Sequence, residues 1–122
     1  MPTYGFFDVR VTKTLLDGGA NVNARDDKGQ TALMHAAGYG YEDAIKLLIE
    51  HHADVNLRDD SGRTALMHAA AGKYVDAIPH LLQNHADLYA KDRSGKTAVE
   101  IAQQSKNQVA IEILSTGMQG RR

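Results

Sequence analysis

Apolar residues along this chain fall into short stripes of helical spacing that return with one period. Ala32, Leu33, Met34, Ala36 and Ala37 follow Gly29-Gln30-Thr31, and Ala65, Leu66, Met67, Ala69 and Ala70 follow Gly62-Arg63-Thr64. A third run, Ala98, Val99, Ile101 and Ala102, follows Gly95-Lys96-Thr97, so the offset is 33 residues each time. Glycine, one polar residue and then threonine ahead of an apolar run is the pattern of a turn leading into a helix N-cap. Each threonine therefore opens a short first helix. Thr97 with Glu100 adds a capping box, in which both ends of the cap are hydrogen-bonded. A second apolar stripe follows in every copy: Ala44, Ile45, Leu48 and Ile49 share one face, as do Ala110, Ile111 and Leu114. Leu15, Leu48, Leu81 and Leu114 hold one register, as do Ala20, Ala53 and Ala86, then Val22, Val55 and Leu88. No single helix pair of this length buries its own stripe, so the core is expected to form between neighbouring copies.

A 33-residue unit of turn, Thr-x-Leu-x-x-Ala helix and second helix resembles the ankyrin repeat. The segments Leu15 to Asn23 and Leu48 to Asn56 are similar to that family's Leu-Leu-x-x-Gly-Ala-Asp-Val-Asn stretch, which degenerates here in Leu81 to Tyr89. The resemblance runs from about Asp8 to Met118 and implies an all-α solenoid of stacked helix pairs joined by β-hairpin-like turns. It divides the chain into a truncated N-terminal repeat (1–23), two full repeats (24–56 and 57–89) and a C-terminal capping repeat (90–122), together one domain. Asn23 and Asn56 resemble the asparagine that is hydroxylated in many animal members of the family.

Several positions depart from the family pattern. Ala32, Ala65 and Ala98 stand where the family has proline, and Met34 and Met67 where it has histidine, which implies apolar packing in place of hydrogen bonds between repeats. His52 and His85 replace a glycine matched here only by Gly19, at a position that needs positive φ. Pro79, aligned with Lys46 and Glu112, predicts a kink in the third second-type helix, because its ring clashes with the carbonyl four residues back. Beside it His80 replaces Leu47, making that helix the least regular. At the start only Met1 to Phe7 precede the segment of second-helix type, too few for a first helix. Tyr4, Phe6 and Phe7 are expected to cover the end of the stack or to offer an edge for self-association. Gln103, Gln104, Lys106, Asn107, Gln108 and Glu112 give the last repeat the polar surface of a cap, and Gly120, Arg121 and Arg122 are expected to fray.

Composition narrows the function. The chain has 122 residues, 43% hydrophobic and 24% charged, with a net charge of -1, so it has no general attraction to nucleic acid or to an acidic membrane. Cysteine is absent, which removes disulfides, a thiol nucleophile and thiolate metal sites. Without a leader or a long apolar run, the expectation is a soluble cytoplasmic protein.

Candidate chemistry is thin. His35 and His68 fall on successive stacked helices, about 8 to 10 Å apart between axes, too far for one ion. His51, His52 and His85 lack a further ligand at metal-motif spacing. Ser61 and Ser94 occupy turns with no base converging on them, and the pairs Asp26-Asp27 and Asp59-Asp60 recur once per unit among Arg25, Lys28, Arg58 and Arg63. No phosphate-binding loop appears. The reading is therefore a non-enzyme without metal or cofactor.

Binding is what the resemblance implies: in the family, turn tips and first helices line a concave groove. Carried over, the partner-binding residues are Arg25, Asp27, Lys28 and Gln30; Arg58, Asp60, Ser61 and Arg63; Lys91 and Arg93, with Ser94 and Lys96 beside them; and His35, Tyr39 and His68 on the helices. Tyr39 is an aromatic among small residues, the type that dominates interfaces energetically. The tips grow more basic toward Lys91, Arg93 and Lys96, favouring a protein partner with an acidic or mixed patch. The expected state is a monomer, with a homodimer through the N-terminal edge as the alternative.

Overall fold

The computed structural model describes residues 9–120, with side chains described for 13–117. Seven α-helices alternate along them: α1 (Val9–Asp17), α2 (Ala32–Tyr39), α3 (Glu42–Glu50), α4 (Ala65–Ala71), α5 (Ala77–Gln83), α6 (Ala98–Gln104) and α7 (Gln108–Gly120). The first helices α2, α4 and α6 pack successively in one row, and α1, α3, α5 and α7 form a second row behind them. Among the described residues, 24 of the 25 buried apolar side chains form one continuous cluster, with Leu33, Leu66, Ile45, Ile78, Leu81 and Leu114 among its most fully buried members and Leu47 outside it. This is the between-repeat core that the 33-residue period implies. No helix is long and apolar enough to cross a membrane among the described residues.

Each first helix starts at its threonine. The hydroxyls of Thr31, Thr64 and Thr97 accept the amides of Met34, Met67 and Glu100 at 3.3, 3.4 and 3.4 Å. The Glu100 carboxylate closes the box on the Thr97 amide at 3.0 Å, as expected. The Met34 sulfur occupies the same place over the Thr31 amide at 3.4 Å. Met34 and Met67 are 2% and 1% exposed, so at these two positions apolar packing holds the repeats together.

Turns of the three units share one geometry. The backbone amides of Asp26, Asp59 and Asp92 donate to the carbonyls of Gln30, Arg63 and Lys96, each at 2.9 Å. Neighbouring turns are joined by one backbone bond apiece, Asp60 N to Lys28 O at 3.1 Å and Arg93 N to Ser61 O at 3.0 Å. No strand forms among the described residues, so the turns resemble hairpins without becoming a sheet. Asn56 ties the loops behind the helices: its Oδ1 accepts the Asp87 amide at 2.8 Å and its Nδ2 donates to His85 O at 3.1 Å. Asn23 accepts the Asp54 amide in the same way at 2.8 Å.

His52 and His85 both adopt φ of 69°, the left-handed conformation expected of them, in line with Gly19 at 96°. A side chain there is strained, and glycine is not. His52→Gly is expected to stabilise the fold by about 1 kcal/mol, read as a raised Tm with unchanged circular dichroism.

The kink expected at Pro79 does not form. The helix α5 begins at Ala77, two residues later than the start of α3 implies, so Pro79 lies in its first turn, where backbone amides have no helical acceptor. Val75 O, the carbonyl a Pro79 amide would have used, accepts Ile78 N at 3.1 Å instead. The helix starts late instead of bending. His80 anchors it to the preceding repeat, its Nε2 lying 2.9 Å from Glu42 Oε2. The connection before it also differs from the earlier one: α2 ends on left-handed Gly40, whereas α4 ends on extended Gly72. A Cβ at Gly72 would lie 2.4 Å from the Gly38 carbonyl oxygen, so glycine is required there by close approach.

At the other end α7 continues through Gly120, so Gly120 is helical and not frayed. The capping role of Tyr4, Phe6 and Phe7 and the fraying of Arg121 and Arg122 lie outside the described residues.

Candidate functional site

The turn aspartates organise the turns that join the repeats. One carboxylate oxygen of each folds its own turn: Asp26 Oδ1 accepts the amides of Lys28 and Gln30, Asp59 Oδ1 those of Ser61 and Arg63, and Asp92 Oδ1 those of Ser94 and Lys96, all within 3.0 Å. The other oxygen reaches outward. His35 Nε2 meets Asp26 Oδ2 at 3.1 Å, and His68 Nε2 meets Asp59 Oδ2 at 2.9 Å. The third unit has Ile101 at that position, and Asp92 Oδ2 instead faces Arg63 Nε at 3.6 Å. The first carboxylate of each recurring pair, Asp26 and Asp59, is thus structural, and the two histidines hold first helices to turns.

Electrostatics follow this wiring. Burial pushes the Asp59 carboxyl up, but hydrogen bonds from the Arg63 amide, His68 and Gln30 outweigh it and hold the group below its ordinary value. Burial lowers His68 and its bond to Asp59 does not offset that, so a neutral imidazole donates to the carboxylate. His51 is the opposite case. Its two ring nitrogens face Leu47 O and Asp17 Oδ1, each at 3.0 Å, and both acceptors raise its pKa.

Those signs predict opposed pH responses. A lowered histidine contributes stability that is complete above its unfolded value near 6.5 and is lost as pH falls through the folded value. A raised one contributes stability that is complete below about 6.5 and is lost as pH rises through the folded value. Thermal melts should therefore show the Tm of His68→Gln, relative to the intact chain, rising between pH 7.5 and 5.5, and that of His51→Gln, on the same reference, falling over the same interval.

The proposed contact residues divide into two groups. Arg25 and Arg58 each donate an Nη1 to the carbonyl 33 residues on, Arg58 O and, at 3.0 Å, Lys91 O. With Gln30, which donates to Asp59 Oδ2 at 3.3 Å, and Arg63, they link neighbouring turns. Asp27, Lys28, Asp60, Ser61, Lys91, Arg93 and Ser94 are exposed along the tips. Lys96 reaches back to Gln104 Oε1 at 2.7 Å.

A polar cleft of about 480 Å³ opens between the second and third turns, and Gln30, Asp60, Ser61, Arg63, His68 and Arg93 all line it. At the far end of the eight-residue α2, about 12 Å along its axis from the turn, lies an aromatic patch. Tyr39, 53% exposed, stacks on Tyr41 with ring centroids 5.8 Å apart, and Tyr74, 56% exposed, packs over Gly40. Sequence reasoning singled out Tyr39 and missed Tyr41 and Tyr74. Their 33-residue separation was the available signal. No group of three or more metal-ligating side chains gathers among the described residues.

No curated protein matches the chain. A family model of ankyrin repeats matches in three copies over residues 4–92, and the cap, turn and stacking geometry continues in phase through α6 and α7 beyond the matched segment. Ankyrin repeats generally mediate protein–protein interaction and are generally non-enzymatic. On the repeat geometry and that match together, the chain belongs to the ankyrin-repeat family.

Proposed function

We propose that the chain is an interaction module that docks a partner protein across the face running from the turn tips to the tyrosine patch. The observation that carries this reading is the convergence of Gln30, Asp60, Ser61, Arg63, His68 and Arg93 on one cleft. Tyrosine and arginine supply most of the energy at protein interfaces, and Tyr39 and Arg93 are both exposed. The frame is pre-organised by the aspartate network, so little ordering entropy is lost on binding. A partner with carboxylates facing Lys91 and Arg93 and an apolar anchor for the tyrosines fits this face. The chain acts here as a monomer, without metal or cofactor, and by occlusion or bridging instead of catalysis.

Arg58 and Arg63 hold neighbouring turns together, so substitutions there confound folding with binding. Exposed Tyr39 and Arg93 are the better probes. Affinity capture from host lysate should retain one protein on the intact chain and lose it on the variant Tyr39→Ala with Arg93→Glu, provided both melt at the same temperature. Equal capture by both would reject this face.

A further inference from the structure

A second recess lies at the opposite edge of the stack from the capping repeat. It measures about 410 Å³ and its floor is apolar, built from Leu15, Leu16, Val22, Ala24, Ala32 and Leu48. Adding 33 to each number gives Leu48, Ile49, Val55, Leu57, Ala65 and Leu81. These belong to the part of the stack against which α2 packs, through α3, α4 and α5. The recess is thus a repeat of the socket that holds α2, placed one unit earlier, and among the described residues no helix stands in it. Exposure shows the difference: Leu15 is 59% exposed and Leu48 2%, and the side chain of Asp26 is 41% exposed where that of Asp59 is 3%.

We propose that this recess receives a two-turn amphipathic helix from a partner protein, with leucine, methionine and alanine on its buried face. The chemistry is read from the internal occupant of the equivalent socket. The α2 helix buries Leu33, Met34, Ala36 and Ala37, each at most 2% exposed, and its small residues let the helix approach closely. The surface is continuous with the repeat interface already present, so a helix seated there extends the established row of first helices by one. A second copy of this chain is a poor occupant. Its α2 is already buried, and the face it would bring head to tail carries exposed Gln103, Gln104, Gln108 and Glu112. This docking site adjoins the turn cleft only at Gln30, which lines both, and does not rest on it.

The test uses the full chain, 15N-labelled, and a hydrocarbon-stapled fluorescent peptide with the sequence Thr31–Tyr39. Saturable binding is expected, with resonance shifts at Leu15, Val22, Ala24 and Ala32 and none at Ser61, Arg93 or Ser94. Leu15→Lys with Ala24→Glu, both exposed positions, should weaken binding on the order of tenfold at unchanged Tm. Tyr39→Ala with Arg93→Glu should leave it unaltered, which separates this site from the proposed concave face. No saturation at millimolar peptide, equal binding of a scrambled peptide, or equal binding by the Leu15 and Ala24 variant would overturn the proposal. So would changes at Leu15 and Val22 on Phe6→Ser with Phe7→Ser without peptide, which would assign the recess to the chain's own first residues. A concentration-dependent dimer abolished by Leu15→Lys would assign it to a second copy and overturn the partner helix as well.

Discussion

Leu81→Ala is expected to cost about 3 kcal/mol of folding free energy, and Leu15→Ala less than about 1 kcal/mol. The two leucines hold the same place in the repeat and are indistinguishable by sequence pattern. Leu81 is fully buried on α5, whereas Leu15 on α1 is 59% exposed. Removing Leu81 leaves a cavity that rigid neighbours fill only partly, so the lost transfer energy and the cavity energy add. Removing Leu15 takes away surface that water already wets. A domain of this size holds roughly 5–15 kcal/mol in total, so the first change is a large fraction of it. Urea unfolding followed by circular dichroism would measure both. Equal losses would mean that Leu15 is covered in solution.

Asp59→Ala is expected to cost about 3 kcal/mol, for a reason unrelated to apolar packing. The Asp59 carboxylate accepts the amides of Ser61 and Arg63, the imidazole of His68 and the amide of Gln30 from the preceding turn. Alanine leaves these donors without their partner in a place only 8% exposed, and an unsatisfied buried donor costs more than a hydrogen bond contributes. The same substitution at Asp26, with more access to water, should destabilise less, because solvent takes over the orphaned amides. Chemical denaturation of the two variants side by side measures the difference, and in the Asp59 variant the pH response carried by His68 should grow, because the carboxylate that offsets part of the lowering by burial is gone.

Much of the fold was legible because the repeat is a local code. Thr31, Thr64 and Thr97 each satisfy an orphan amide within three residues, and a glycine places each turn, so helix starts follow from short-range chemistry. The left-handed φ at His52 and His85 was readable by alignment with Gly19. The kink at Pro79 was misread because alignment with Lys46, which lies in the middle of its helix, placed the proline in a helix interior. Helix α5 starts late, and a ring in the first turn removes an amide that had no acceptor.

The candidate site was legible as a set of positions but not as a set of roles. Arg25, Arg58, Arg63, His35 and His68 were read as contact residues for a partner, and each has a bond inside the frame. Those bonds join atoms a whole repeat apart or connect a helix to its turn, and a linear pattern carries no distance between them. Tyr41 joins Tyr39 by stacking across the turn after α2, and Tyr74 reaches them only because the loop after α4 brings it over Gly40.

By itself, then, the sequence determined the period, the helix starts, the strained histidines and the row of residues that face outward from the turns, since all of these depend on neighbours a few positions away or on strict recurrence. Tertiary structure alone decided which of the equivalent leucines are buried, which aspartates keep their hydrogen bonds away from water and where, among the described residues, the stack carries an apolar recess. Burial depends on what packs from the adjacent unit, and at the first unit that neighbour is not implied by the period.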